Sequence, residues 1–141
     1  MLALTILGNN SALPANGRNP TAQVLQTQSE AYLVDCGEGT QQQMVKYKIR
    51  TSKLAHIFIS HLHGDHYFGL IGLLTSMGLL GRTSAIHLYA APALQKIILL
   101  QLNAADTELP YPLYFHPILE EGIICNDGKI TVQSFAVTHR I

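Results

Sequence analysis

The sequence predicts an α/β fold built from layers of helices and strands. Short apolar runs typical of strands come first, and further such runs then alternate with longer helical runs along the 141 residues. Hydrophobic residues make up 48% of the chain and charged residues only 13%, a balance that suits elements buried on both faces. Since no linker or internal repeat divides the chain, residues 1–141 are predicted to belong to a single domain.

The predicted elements follow from local patterns in chain order. The predicted strands are short, rich in apolar residues and bounded by turn-forming residues, and lie at 2–7, 21–27, 31–36, 56–60, 86–90, 111–118 and 130–137. The predicted helices are longer apolar runs and lie at 37–46, 68–80 and 92–105. Pro92 suits the first turn of the last helix. The segment 8–20 is rich in Gly, Asn and Pro and is predicted to be a loop, and Asp127-Gly128 predicts a turn.

Composition limits the classes of protein that fit. The formal net charge is zero, so the chain as a whole lacks the basic excess typical of nucleic-acid-binding domains. The two cysteines, Cys36 and Cys125, lie far apart and outside zinc-finger spacing, which predicts free thiols in a reducing compartment. No signal peptide or membrane-spanning run is recognisable, and we therefore expect a cytoplasmic protein without a membrane segment.

The segment His61-Leu62-His63-Gly64-Asp65-His66 is the strongest functional signal in the chain. It joins a predicted strand to a predicted helix and contains imidazole and carboxylate groups, which together suit Zn²⁺ and related transition metals. In extended backbone, alternate side chains point the same way, so His61 and His63 can reach one metal. Gly64 permits a sharp turn, after which Asp65 and His66 face a second metal. The pattern therefore predicts a two-metal hydrolytic centre able to act on a phosphodiester.

The other histidines carry weaker signals. His139 ends an apolar run and, on its local sequence, is typical of a structural histidine. His56, His87 and His116 lie within predicted strands and have no ligand-type residues beside them in the sequence. We therefore predict that these three are not metal ligands.

Three segments resemble one known family. His61 to His66 resembles the HxHxDH motif of the metallo-β-lactamase fold superfamily, whose members include lactamases, glyoxalase II, sulfatases and nucleases. The run Asp35-Cys36-Gly37-Glu38-Gly39-Thr40-Gln41 resembles the DCGEGTQ signature of ribonuclease Z, the tRNA 3′-processing endonuclease. Arg18-Asn19-Pro20 resembles part of that family's amino-terminal loop, although Gly8-Asn9-Asn10-Ser11 departs from the Gly-Thr-Ser often found there. The chain is thus identified as similar to the amino-terminal half of a ribonuclease Z.

This resemblance implies a fold, a site and a substrate. It implies the amino-terminal half of an αββα metallo-β-lactamase fold, with two zinc ions in a complete active site. It places His61, His63 and His139 on one zinc and Asp65 and His66 on the other, with Asp65 also as the catalytic proton acceptor. It further implies a homodimer that removes the 3′ trailer from precursor tRNA. In that family a protruding arm, which this sequence lacks, provides much of the tRNA binding.

Two alternatives remain open from the sequence. One is another hydrolase of the superfamily, such as a small-molecule phosphodiesterase or an arylsulfatase-like enzyme. The other is a non-catalytic, self-associating module that keeps half of the fold, since half a sandwich leaves an apolar sheet face uncovered. The resemblance also implies a bridging aspartate and a further zinc histidine that these 141 residues do not supply. We therefore expect incomplete metal binding and weak cleavage, or none, from this chain alone.

Overall fold

The computed structural model describes residues 1–139, which contain eight strands, four α-helices and a 3₁₀ turn at Thr51–Lys53. The strands are β1 (Ala3–Gly8), β2 (Ala22–Gln26), β3 (Ala31–Val34), β4 (Leu54–Phe58), β5 (Ile86–Ala90), β6 (Leu113–Pro117), β7 (Gly122–Asn126) and β8 (Thr131–Ser134). The helices are α1 (Thr40–Lys46), α2 (Gly64–Tyr67), α3 (Leu70–Leu79) and α4 (Pro92–Ala104).

Six of the strands form one sheet in the order β1-β2-β3-β4-β5-β6. The first three pair antiparallel, whereas β3, β4, β5 and β6 pair parallel to one another. Parallel neighbours need a crossover connection, and the helices supply it here: α1 joins β3 to β4, α2 and α3 join β4 to β5, and α4 joins β5 to β6. Strands β7 and β8 form a separate antiparallel hairpin.

The main core lies between the sheet and the helices. Ile57 of β4 and Leu88 of β5 are fully buried there, and Leu74 of α3 and Leu94 of α4 belong to the same cluster of buried side chains. Burial of these apolar side chains on one face of each helix is what holds the helices on the sheet. This core keeps the ends of the parallel strands in register.

Stacked aromatic and histidine side chains and the β7–β8 hairpin lie on the opposite face of the sheet. Because side chains alternate along a strand, His56 and Phe58 face away from Ile57 and the helices. Phe58 stacks on Tyr89 with ring centroids 4.7 Å apart, and Tyr89 stacks on His116 at 4.4 Å. Cys125 of β7 packs on Phe58 and Tyr89, so the hairpin covers part of this face. The described residues thus form a helical layer, a large sheet and a two-stranded second sheet.

The predicted α/β architecture is confirmed, with differences in particular elements. The predicted helix 68–80 is divided: α2 forms one turn inside the metal motif, and α3 begins only at Leu70. Although the predicted helix is apolar in sequence, Leu79 at the end of α3 and Leu80 after it are largely exposed. The strand β7 was missed, and the last predicted strand ends at Ser134 instead of 137. The longest described helix has 13 residues, and no helix within residues 1–139 could cross a membrane.

Candidate metal centre

The candidate site lies where the parallel strands end. The loop 59–63 leaves β4 and runs into α2, at the carboxyl edge of the sheet, where ligands of open α/β sheets usually bind. The backbone N–H of Cys36 donates to the carbonyl oxygen of His66 at 2.7 Å, which fastens α2, directly after this loop, to the segment that follows β3. Gly37 permits that approach, since a Cβ there would lie 2.3 Å from the carbonyl oxygen of Asp65. The two sequence motifs are therefore packed directly against each other.

Three imidazoles converge on a common point. His61 Nε2 lies 3.1 Å from His63 Nδ1, and His139 Nε2 lies 3.2 Å from the same atom. One nitrogen from each ring lies within 4.8 Å of the other two. His139 comes from the far end of the described chain, beyond β8, so only the folded protein brings the three rings together.

The convergence fits a tetrahedral cation. Nitrogen ligands about 2.0–2.1 Å from a tetrahedrally coordinated Zn²⁺ lie roughly 3.3 Å from one another. The nitrogen–nitrogen distances of 3.1 and 3.2 Å at this site are close to that value. His63 Nδ1 faces two imidazole nitrogens but can make a good hydrogen bond to only one of them, whereas a shared cation would accept all three lone pairs. Burial and the neighbouring imidazoles lower the pKa of His61, which favours the neutral, metal-binding form of its ring. The donor set present therefore suits a divalent transition metal.

A second group of donors lies beside the first. His66 Nε2 lies 3.6 Å from Asp65 Oδ2, and the His66 ring centroid lies 3.9 Å from that of His61. The structure thus places Asp65 and His66 directly beside His61, His63 and His139. The assignment of these residues as ligands, and of Asp65 as proton acceptor, remains a prediction.

Asp35 is a residue of this site that the sequence analysis did not assign. Its Oδ2 lies 2.7 Å from His66 Nδ1 and accepts a hydrogen bond from the Ser60 hydroxyl at 3.0 Å. Its Oδ1 accepts a hydrogen bond from the backbone N–H of Ser60 at 2.8 Å. The carboxylate occupies one ring nitrogen of His66 and leaves Nε2 free, as in the carboxylate–histidine pairs that orient metal ligands. The available signal was its position as the first residue of the DCGEGTQ-like segment, directly after β3.

Comparison with known proteins supports the predicted resemblance. A family described as Anti-Pycsar protein Apyc1 matches residues 2–139. The ribonuclease Z of Bacteroides fragilis is 41% identical over 140 residues, which cover 98% of this chain and 46% of that protein. The ribonuclease Z of Thermosynechococcus vestitus is also 41% identical, over 99% of this chain and 35% of its own length. The chain thus spans about half the length, or less, of these curated relatives, and the predicted similarity to ribonuclease Z is confirmed.

Solved structures support the predicted fold. The crystal structure of human tRNase Z, short form, aligns with a TM-score of 0.90 and 31% identity over the whole of this chain and 62% of that one. The metallo-β-lactamase fold protein YhfI from Bacillus subtilis aligns with a TM-score of 0.64 at 20% identity, covering 94% of this chain and 61% of that one, which bears on the fold alone. The predicted metallo-β-lactamase fold is therefore confirmed.

Proposed function

The chain belongs to the family described as Anti-Pycsar protein Apyc1, and from its similarity to ribonuclease Z we propose that it forms half of a metal-dependent phosphodiesterase that removes the 3′ trailer from precursor tRNA. The observation that carries the proposal is the meeting of three imidazole nitrogens at the carboxyl edge of the sheet, beside Asp65 and His66. The 41% identity with ribonuclease Z of B. fragilis supports precursor tRNA as the substrate.

The proposed chemistry assigns a task to each group. His61, His63 and His139 would hold one Zn²⁺, and Asp65 and His66 would contribute to a second. A bound Zn²⁺ would act as a Lewis acid, lowering the pKa of water to about 7 and stabilising charge on the phosphodiester. Asp65 is the carboxylate beside His66 Nε2, and its Oδ2 can orient the attacking water and accept its proton. Asp35 holds the His66 ring in place through Nδ1.

The surroundings of the protein are part of the same proposal. Free thiols at Cys36 and Cys125 are compatible with the reducing cytoplasm. We also propose a homodimer, because large apolar side chains such as Leu119 and Phe135 remain exposed at one end of the open sheet face. Residues 1–141 are proposed to be one part of a single metallo-β-lactamase-fold domain. Because the resemblance implies further zinc ligands beyond those present, we expect the chain alone to cleave precursor tRNA weakly or not at all.

A chimera tests this function directly. The segment of B. fragilis ribonuclease Z that matches this chain is replaced by residues 1–139, and the product is incubated with precursor tRNA carrying a labelled 3′ trailer. We expect trailer removal that EDTA abolishes and that a His63→Ala chimera lacks, while a chimera with Asp106→Asn, at an exposed position beyond α4, retains it. A folded chimera that binds zinc but leaves precursor tRNA intact would overturn the proposal.

A second function has one observation in its favour. The family that matches residues 2–139 carries a description other than ribonuclease Z. The same centre would then act on a small phosphodiester as its natural substrate. Turnover of bis(p-nitrophenyl) phosphate by the chimera, without cleavage of precursor tRNA, would favour this alternative over the first.

A further inference from the structure

A second group of ligand-type side chains lies on the opposite face of the sheet from the helices. Glu30 directly precedes β3, His56 lies in β4, and Asp127 lies in the turn between β7 and β8. One ligand atom from each residue lies within 4.8 Å of the other two. These three residues, the hairpin cluster, come from three segments that are distant in the sequence. His56 therefore has ligand-type neighbours in the fold that its local sequence does not reveal.

The two carboxylates of the hairpin cluster compete for one hydrogen-bond donor, the Tyr32 hydroxyl. The Tyr32 hydroxyl lies 2.9 Å from Glu30 Oε2 and 2.5 Å from Asp127 Oδ2. A phenol has one proton, so it can donate fully to only one of these two oxygens at a time. Carboxyl groups are ionised at neutral pH, so both residues present negative charge to this hydroxyl. Negative charge is thus concentrated at the phenol.

Other partners of these carboxylates lie on their far sides. Lys129 Nζ lies 2.7 Å from Glu30 Oε1, the oxygen that does not face Tyr32. The backbone N–H groups of Lys129 and Ile130 donate to Asp127 Oδ1 at 2.8 and 2.9 Å. These contacts hold the carboxylates in place and leave Glu30 Oε2 and Asp127 Oδ2 facing the Tyr32 hydroxyl.

His56 points a buried ring nitrogen at the same place. The residue is 8% exposed, and its Nε2 lies 3.6 Å from Asp127 Oδ2, longer than an ordinary hydrogen bond. Its ring is held by stacking on Tyr32 and His87, with centroids 5.1 and 5.2 Å away. A neutral imidazole offers a lone pair from one of its ring nitrogens.

We infer that Glu30, His56 and Asp127 form a second metal site, separate from the His61 centre, which takes a divalent transition metal and fastens the β7–β8 hairpin to the sheet. One imidazole nitrogen and two carboxylate oxygens are a donor set that Zn²⁺ accepts. The cation would offset the carboxylate charge that remains after Lys129 pairs with Glu30. His56 and His61 are five residues apart along extended chain, which corresponds to roughly 16 Å. The two sites therefore cannot share one ion.

The site has a structural consequence for the first centre. The hairpin is a separate sheet that contacts the main sheet through side chains, and β8 leads directly toward His139. A metal that ties Asp127 to His56 restricts where the hairpin can lie. It would thereby help to hold His139 near His61 and His63.

The test uses the purified 141-residue chain carrying His61→Ala and His63→Ala, which removes two ligands of the first centre. Bound metal is measured after free Zn²⁺ has been removed, and Tm is measured separately with free Zn²⁺ kept at a hundredfold excess over Kd. We expect about one equivalent of Zn²⁺ to remain, with a Tm rise of roughly 8 °C at a hundredfold excess over Kd. Adding Asp127→Asn, or separately His56→Gln, should abolish both the bound metal and the rise.

Two controls make the outcome decisive. Asp106→Asn in the same background changes an exposed aspartate beyond α4 and should leave zinc binding unchanged. Circular dichroism identifies any variant that fails to fold, and the isosteric Asp127→Asn keeps an oxygen for the turn. Absence of bound zinc in the His61→Ala/His63→Ala chain, or zinc retained after both Asp127→Asn and His56→Gln, would overturn the inference. Neither result would bear on the proposed hydrolytic centre, since that centre is disabled throughout.

Discussion

Replacing Asp35 by Asn tests how far the metal centre depends on a residue that is not itself a proposed ligand. One oxygen of Asp35 contacts His66 Nδ1 and the Ser60 hydroxyl, and the other accepts the Ser60 backbone N–H. Asparagine has a single acceptor oxygen and an NH₂ group, so one side of the contact would place donor against donor. Loss of such an orienting carboxylate costs about 10–100-fold in metal affinity. That corresponds to about 1.4–2.7 kcal/mol of binding free energy.

The measurement is a competition titration against a chromogenic chelator, with Zn²⁺ as the metal and with Asp127→Asn in every protein compared, so that the hairpin cluster does not contribute. Asp106→Asn is the matched control, because Asp106 also has a positive φ, 47° against 58° for Asp35, but lies beyond α4. Urea unfolding of the metal-free proteins separates a loss of affinity from a loss of fold. If the chain with Asp35→Asn binds zinc within twofold of the chain that keeps Asp35, Asp35 does not orient His66 in the way proposed.

The remaining predictions concern packing and pH. Gly69→Ala would place a Cβ 2.2 Å from the carbonyl oxygen of Gly37, so we expect the free energy of unfolding to fall by roughly 1–3 kcal/mol. A Cβ at Gly72 in α3 would meet its nearest atom only at 4.0 Å, so Gly72→Ala should raise that free energy by up to about 1 kcal/mol. Urea unfolding measures both variants, and an equal change in the free energy of unfolding for the two would contradict this reasoning. Burial, with His87 adding to it, lowers the pKa of His116 below 6.5 in the folded chain. As pH falls through 6.5 the unfolded chain therefore binds the proton first, and stability is lost below that pH. Unfolding measured from about pH 8 to about pH 5 should show a weaker acid dependence in His116→Gln; an unchanged dependence would contradict the assignment.

Most strands and helices could be predicted because the spacing of apolar residues along the chain indicates them. Strand β5 and the start of α4 at Pro92 match their predicted positions, since each is marked by a run of apolar residues or by a proline in the first helical turn. Strand β7 was missed because its neighbours Glu120 and Glu121 and its exposed Ile123 give no clear alternation. It pairs only with β8, and that pairing is a contact between segments that local pattern does not specify.

The candidate site divides in the same way. His61, His63, Asp65 and His66 could be named from the sequence because they lie within one turn-forming segment. His139 was identified only through resemblance to a family, since its own surroundings are those of a structural histidine. Asp35 and His56 were not assigned to any site, because their partners are distant in the sequence. Asp35 contacts Ser60 and His66, and His56 lies near Glu30 and Asp127.

By itself, the sequence determined the layered α/β class, the junction of strand and helix that carries the metal motif, and the similarity to ribonuclease Z. Those properties depend on residue types at short spacing, which a linear chain displays directly. Only the tertiary structure decided that His139 meets His61 and His63, that Asp35 contacts His66, and that the hairpin brings Asp127 to His56. Each of these contacts joins residues at least 31 positions apart, and their distance is set by how the sheet, the helices and the hairpin pack.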